Sequence, residues 1–209
     1  MINYKKYFAN AIKNTFPDNP DFLIAETDRN YKIISNDTNF SLNSANPIDR
    51  RLDFSAYFLA LVKTLEGQGK TYGTIRSICL DIVIEYVRPK NKFQLFLKRL
   101  PIKLINTRLA NIFLKALNKK VSRKAHNDGF VAKIITDKNE TFGFGYGVDI
   151  LECGICKLFK KHNYQKYSSI LCEVDEVTSA LAGLKLIRTG TIALGAKKCD
   201  FRFKKVITD

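Results

Sequence analysis

The chain has 209 residues, of which 45% are apolar, and it carries a formal net charge of +15 at neutral pH. This length and apolar content are sufficient to bury one sizeable core, and we expect a single domain. No apolar run approaches the roughly 20 residues that a membrane-spanning helix needs, and charges interrupt the N-terminal segment where a secretory signal needs an apolar stretch, so the sequence predicts a cytoplasmic protein.

The first half of the chain is predicted to be mainly helical. Apolar residues recur at intervals of three and four in three segments, which predicts helices at 4–12, 52–65 and 71–87. Prolines follow the first and the third of these segments and are expected to end them. Between the first two helices, residues 22–26 and 31–35 flank the turn formers Asp28 and Asn30, which predicts a β-hairpin followed by a polar loop.

Most of the positive charge lies in one segment. Between Tyr86 and Asn127 there are twelve Lys or Arg residues and no Asp or Glu. Within residues 90–124, apolar residues recur at helical spacing on both sides of Pro101, which predicts two amphipathic helices with a basic outer face. The aromatic residues of this segment fall on the apolar stripe, and we expect them to face the core: Phe93, Phe96 and Phe113.

The basic helices have three interpretations. They present a merely solvated charged face, a docking surface for an anionic membrane, or a docking surface for an acidic carrier protein. The membrane interpretation would place the protein peripherally at the inner membrane surface. Nucleic acid is disfavoured as a partner, because aromatic rings that face the core cannot stack on bases.

The last part of the chain combines strands and helices. Period-two patterns predict strands at 130–136, 141–150, 185–189 and 198–204, and helical spacing predicts helices at 154–162 and 167–181. The order predicts an α+β fold, an antiparallel sheet covered by helices. In this single domain of residues 1–209, residues 1–128 are mainly helical and residues 129–209 hold the sheet and a cysteine-bearing helix pair.

Alternating glycines mark the second predicted strand. Gly143, Gly145 and Gly147 leave one face of this strand as bare backbone. The spacing is not that of a dinucleotide-binding motif, because the third glycine is misplaced and no helix opens after it. A strand face without side chains instead allows the close approach of a helix or a ligand.

The chain has five cysteines, an odd number. In a reducing compartment we interpret them as buried, catalytic or metal-binding thiols rather than as a disulfide framework. Cys153 and Cys156 form a Cys-x-x-Cys, which is compatible with half a zinc site or a redox pair. The chain has no second such pair, and neither of its histidines, His126 and His162, stands at a convincing offset. We therefore predict no metal ion.

A thiol and a carboxylate share one face of the predicted helix 167–181. Cys172 and Asp175 are three residues apart, which places them side by side. A nearby carboxylate disfavours a thiolate, so Asp175 is better suited to accept a proton or to bind a substrate amine. The alternative is a buried cysteine beside a solvated acidic edge.

The two last strands carry a second thiol and an arginine. Period-two alternation places Cys199 on one face of its strand with Phe201 and Phe203. Arg188 shares a strand face with leucines, and a buried guanidinium requires a partner. This partner is either an internal acid, Asp175 or Asp200, or the carboxylate of a ligand.

The closing segment resembles the C-terminal pattern of the L-2-amino-thiazoline-4-carboxylic acid hydrolase family. In that pattern, a cysteine-bearing helix pair leads into a strand and then an Arg-x-x-Thr-x-Ala-x-Gly-x-x-x-Cys-Asp-Phe-Arg-aromatic ending. The matching residues here are Arg188, Thr191, Ala193, Gly195, Cys199, Asp200, Phe201, Arg202 and Phe203. The resemblance covers the C-terminal third, and the correspondence is much weaker before Gly129.

The resemblance implies a hydrolase that needs no cofactor. Its small-molecule substrate, which carries a carboxylate, is opened by the addition of water at the ring carbon between sulfur and nitrogen. At the matched positions we assign roles by hypothesis: Arg188 holds the carboxylate and Thr191 orients it. Cys199, Cys172 or Cys156 supplies a nucleophile or a thiol proton donor, and Asp175 is the base. The alternative is a non-catalytic ligand-binding module on the same scaffold.

Overall fold

The computed structural model describes residues 4–105 and 107–206. Within these residues, eight α-helices and a four-stranded antiparallel sheet form, which confirms the predicted α+β class. The helices are α1 (Lys5–Thr15), α2 (Pro20–Ile34), α3 (Arg51–Gly67), α4 (Tyr72–Val87), α5 (Lys92–Leu104), α6 (Arg108–Val121), α7 (Gly154–Lys161) and α8 (Ser168–Leu181). The strands are β1 (Val131–Ile135), β2 (Gly147–Glu152), β3 (Leu184–Ile187) and β4 (Cys199–Lys205).

The chain divides into two compact units. The first comprises Met1–Ser44, Asp49–Val87 and Gly154–Val174, and the second comprises Ala45–Ile48, Arg88–Cys153 and Asp175–Asp209. All four strands belong to the second unit, whereas α1 to α4 and α7 belong to the first. The single domain inferred from chain length stays a prediction.

Helix α3 is the centre of the first unit. Every residue from Ala56 to Val62 is buried, because α3 contacts α2, α4 and α7 on different sides. The ring of Phe8 on α1 packs edge to face against the rings of Phe54 and Tyr57 on α3. The predicted helices at 4–12, 52–65 and 71–87 are confirmed as α1, α3 and α4.

The predicted hairpin at 22–35 is wrong, since these residues form α2. The residues that α2 buries, Leu23, Thr27, Asn30 and Ile34, recur at helical intervals. The turn former Asn30 is accommodated because its side-chain amide donates to Thr64 Oγ1 at 3.0 Å. Tertiary packing against α3 therefore overrides the local preference of Asp28 and Asn30 for a turn.

The sheet has the strand order β1-β2-β4-β3, and each neighbouring pair is antiparallel. Leu114 and Val121 of α6 pack on Ala132 and Ile134 of β1. The predicted strands are confirmed except at their ends, and residues 141–145, predicted as strand, form a turn. This turn requires positive φ at Phe142, Gly143 and Gly145, which excludes an extended strand there.

Gly147 of β2 is closely approached by two groups of β4, the Arg202 side chain and the Phe201 backbone. A Cβ at this position would lie 2.9 Å from Arg202 Cδ and 2.9 Å from the Phe201 carbonyl oxygen. We expect Gly147→Ala to lower the free energy of unfolding by about 1–3 kcal/mol, the usual cost of overpacking. Urea denaturation measures this loss.

Gly67→Ala is the matched control, because a Cβ there meets nothing within 4 Å. This variant is expected to be neutral or slightly stabilising, since alanine restricts the unfolded chain. Equal stability of the two variants would show that Arg202 moves aside without cost.

The two basic helices form, but their boundary and orientation differ from the prediction. Helix α5 continues past residue 101, and the break falls between Leu104 and Arg108. Phe93, Phe96 and Phe113 do not face a core, since Phe93 is 67% exposed and Phe113 is 65% exposed. Helix α6 turns Leu114 and Val121 to the sheet, so its other apolar face remains at the surface. None of the described helices has both the length and the apolar character required to cross a membrane.

Candidate active site

Arg188 follows directly on β3, and its side chain is 12% exposed. Its guanidinium carbon lies 5.5 Å from the centre of the Phe201 ring on β4. Arg188 Nη1 is 3.8 Å from Asp175 Oδ2, and Nη2 donates to Glu176 Oε1 at 3.4 Å. Of the two internal acids considered for Arg188, the structure therefore pairs it with Asp175, and Glu176 joins them.

Asp200 holds the turn that connects Arg188 to Thr191. Asp200 Oδ1 accepts from the backbone N–H groups of Thr189 at 3.0 Å and Gly190 at 3.1 Å, and its Oδ2 accepts from Thr189 Oγ1 at 2.7 Å. Burial by itself would raise the pKa of this carboxyl, but these hydrogen bonds outweigh it and the pKa is lowered. The Asp-Phe-Arg part of the motif thus begins with a residue that shapes the backbone of the site.

Thr191 and Cys199 are brought together by one backbone hydrogen bond. The N–H of Ile192, the residue after Thr191, donates to Cys199 Sγ at 3.2 Å. Cys199 is buried, and Thr191 is only 2% exposed. Thr191 Oγ1 is completely buried and has no hydrogen-bond partner among the described residues. A buried hydroxyl without a partner costs about 1–3 kcal/mol, so it needs a physical explanation.

The Cys199 thiol is held in its neutral form. Burial raises its pKa, the Cys153 thiol and the Asp175 carboxylate act in the same direction, and the Ile192 N–H and Arg188 oppose them without cancelling the rise. A thiol with a raised pKa is a poor thiolate nucleophile at neutral pH, but it carries the proton that a donor needs. Of the two roles that the sequence left open for Cys199, this environment favours the donor.

Cys153 is a residue of this cluster that the sequence analysis did not include among the site residues. It follows directly on β2, whose residue Ile150 is paired with Cys199. The Cys-x-x-Cys spacing drew attention to Cys153 as a partner of Cys156. The register of β2 against β4, which brings Cys153 towards Cys199, depends on long-range pairing and leaves no local signal.

A buried ion network lies on the opposite face of β4. Asp149 on β2 is buried, its Oδ1 accepts from Arg202 Nη1 at 2.8 Å, and its Oδ2 accepts from Lys198 Nζ at 2.6 Å. Burial would raise the pKa of Asp149, but the two cations outweigh it and the pKa is lowered. This network was not predicted from the sequence, in which an acid within an apolar strand was the available signal.

Two predicted site residues lie in the first unit. Cys156 is on α7 and Cys172 is on the first half of α8, whereas Asp175, Arg188, Thr191 and Cys199 belong to the second unit. All five cysteines of the chain are thiols, and no group of three or more His, Cys, Asp or Glu suited to a metal ion occurs among the residues described. The roles of Cys156 and Cys172 stay predictions.

The fold and these contacts define an α+β protein with an arginine, an unpaired hydroxyl and a neutral thiol around its last two strands. Residues 50–203 match the family model described as L-2-amino-thiazoline-4-carboxylic acid hydrolase, and the chain belongs to this family. The match extends far beyond the C-terminal third in which the resemblance was recognised. No curated protein and no solved structure matches the chain. The family supports a hydrolase-type function and a small-molecule substrate.

Proposed function

We propose that this chain is a cofactor-independent hydrolase that opens a small cyclic substrate of the 2-amino-thiazoline-4-carboxylate type. Water adds to the ring carbon between sulfur and nitrogen, and the carbon–sulfur bond breaks. The sulfur leaves as a thiol, and the product is an N-carbamoyl-cysteine. The reaction consumes one water molecule and needs no oxidant, reductant or second substrate.

The observation that carries this proposal is the unpaired hydroxyl of Thr191. Its side chain is buried and has no hydrogen-bond partner in the described part of the chain, yet it lies within the segment that matches the family. A bound substrate would supply the missing partner, because a carboxylate oxygen accepts from a hydroxyl. The cost of the unpaired group would then be recovered on binding.

The groups around Arg188 carry charges of both signs, and so does the substrate. A 2-amino-thiazoline carboxylate carries an anionic carboxylate and a basic amidine group. Arg188 can bind the carboxylate with its planar fork, and Asp175, 3.8 Å from the guanidinium, can accept from the amidine nitrogen. The ligand is thereby held at both of its charged groups, which fixes its orientation in the site.

Three proton transfers accompany bond cleavage. Asp175 takes a proton from the attacking water, the ring nitrogen takes the proton that the added hydroxyl loses as the carbonyl forms, and the Cys199 thiol gives its proton to the leaving sulfur. The Cys199 thiolate then regains a proton from Asp175, so that both groups return to their starting forms. The raised pKa of Cys199 keeps the thiol protonated at neutral pH, so that its proton is present when the leaving sulfur develops negative charge.

Turnover of 2-amino-thiazoline-4-carboxylate, followed by mass spectrometry of the N-carbamoyl-cysteine formed, tests the proposal. Mass spectrometry is required because the five thiols of the protein would also react with a thiol reagent. We expect Cys199→Ala to lower kcat by roughly 10²–10⁴-fold, the usual contribution of a positioned acid. The matched control is Cys79→Ala, a buried cysteine of α4 that has no role in the site and should leave kcat nearly unchanged.

Full activity of Cys199→Ala would contradict the proton-donor role and direct attention to Cys172 and Cys156. Stoichiometric binding of unchanged substrate by the wild type would instead assign the chain to the alternative, a ligand-binding module without turnover.

A further inference from the structure

An apolar stripe lies exposed along α5. Phe93, Phe96, Leu97 and Leu104 recur at intervals of three, one and seven residues, which places them on one face of the helix. All four side chains are exposed to solvent. A soluble surface helix normally turns such a face to a core, so this face is available for a partner.

Helix α6 has two apolar faces, and only one is covered. Leu114 and Val121 pack against the sheet. Leu109, Ile112 and Phe113 lie on a different face and are among the most exposed apolar residues of the chain, with Leu109 at 79%. The seven exposed residues of α5 and α6 are called the apolar stripe below: Phe93, Phe96, Leu97, Leu104, Leu109, Ile112 and Phe113.

In each of the two helices, cations lie on one side of the exposed apolar residues. Lys92, Arg99 and Lys103 fall about 100° around α5 from its apolar residues by helical geometry, and Arg108, Lys115 and Lys119 take the equivalent position on α6. Lys103 Nζ lies 5.7 Å from the centre of the Phe96 ring, at the edge of the stripe. Neither helix contains an acidic residue.

We propose that α5 and α6 dock on the surface of an anionic lipid bilayer. The apolar stripe enters the boundary between headgroups and acyl chains, and the flanking Lys and Arg side chains reach the lipid phosphates. An exposed apolar face bordered by cations is the pattern by which amphipathic helices bind in the plane of such a surface. Peripheral docking of this kind requires no helix that crosses the membrane, and it does not depend on the proposed hydrolase activity.

Charge and side-chain chemistry distinguish the lipid surface from other occupants. A second copy of the chain would bring two basic segments together, and like charges would repel. Nucleic acid would satisfy the cations, but four of the seven residues in the stripe are aliphatic and have no ring face on which a base could stack. A lipid surface satisfies both the cations and the aliphatic side chains.

Flotation of the full-length protein tests this docking surface. The vesicles are phosphatidylcholine alone and phosphatidylcholine mixed with phosphatidylglycerol, each at low and at high salt. We expect the wild type to float with the anionic vesicles only, and less at high salt. The variant Phe93→Ser/Leu109→Ser/Phe113→Ser should bind at least about tenfold more weakly, because it removes apolar area from the stripe.

The cation variant Lys92→Gln/Arg99→Gln/Lys103→Gln should weaken binding by on the order of 100-fold. Each Lys or Arg near an anionic surface strengthens binding about fivefold, and the variant removes all three. Matched controls lie on the first unit: Phe22→Ser/Ile33→Ser removes exposed apolar residues, and Lys13→Gln/Lys32→Gln/Lys160→Gln removes the same charge. Both controls should bind as the wild type does. Circular dichroism should show unchanged folding, because the substituted residues are exposed.

Three results would overturn the proposal. The first is binding that lacks the expected dependence on lipid charge or on the apolar stripe. It would be seen as equal flotation with neutral and anionic vesicles, or as full binding by the stripe variant. The second is a wild-type dimer that this variant splits, without vesicle binding, which would assign the stripe to a second copy. The third is binding to a single-stranded oligonucleotide that the same variant abolishes, again without vesicle binding.

Discussion

Arg188→Gln is expected to lower kcat/KM for 2-amino-thiazoline-4-carboxylate by roughly 10²–10³-fold, because losing one member of a buried, hydrogen-bonded charge pair costs about 2–5 kcal/mol. Arg188 is largely buried beside Phe201, so water cannot replace its guanidinium efficiently. Most of the loss should fall on KM, because the substrate carboxylate is bound equally in the ground state and the transition state. Steady-state kinetics with the mass-spectrometric assay measure the effect.

A substrate analogue separates binding from structure. For 2-amino-thiazoline, which lacks the carboxylate, Arg188→Gln should change kcat/KM little. Arg188→Lys keeps the charge but loses the planar fork and the contact with the Phe201 ring, and should recover only part of the activity. Arg76→Gln is the matched control, since Arg76 forms an exposed ion pair with Glu173 on the first unit. An equal loss with both substrates would identify Arg188 as a structural residue.

Asp149→Asn is expected to lower the free energy of unfolding by about 3 kcal/mol, since removing one partner of a buried ion pair leaves the other charge uncompensated. Arg202 would lose its partner on β2, and Lys198 would lose its contact as well. The matched control is Glu173→Gln, which breaks a largely exposed ion pair and should cost less than about 1 kcal/mol. Urea denaturation at neutral pH measures both.

The pH dependence follows from the depressed pKa of Asp149. Its stabilising contribution is complete above the ordinary carboxyl pKa and is lost as the pH falls through the lower pKa of the folded state. The stability difference between wild type and Asp149→Asn should therefore be constant near neutral pH and shrink in acid. A difference that does not change in acid would show that the ionised carboxylate is not the source of the stability.

The hairpin and the basic helices show where local reasoning failed. At 22–35 the turn formers Asp28 and Asn30 outweighed the helical spacing of Leu23, Thr27 and Ile34, although Asn30 itself belongs to the buried face of α2. In α6, two apolar faces are present, and the sequence could not distinguish the face that packs on β1 from the face that stays exposed. Periodicity identifies faces of an element, but not the partner that covers them.

The site was predictable to the extent that it depends on neighbours in the chain. The motif from Arg188 to Phe203 indicated the family, and period-two alternation placed Cys199 and Phe201 on one strand face. Asp200 was considered as a partner of Arg188, but it binds the turn at Thr189 and Gly190 instead. These partners lie 11 and 10 residues away in the chain, so the spacing alone did not identify them.

By itself, the amino-acid sequence determined the α+β class, the segments that become the four strands and the family, and it proposed the residues of the candidate site. These features depend on short-range periodicity and on residue spacing, which the chain carries locally. Only the tertiary structure decided that Asp175 and Glu176 meet Arg188, that Thr191 buries an unpaired hydroxyl, that Asp149 joins Arg202 and Lys198, and that the apolar stripe stays exposed. Each of these depends on strand register and helix orientation, which arise from contacts between residues far apart in the chain.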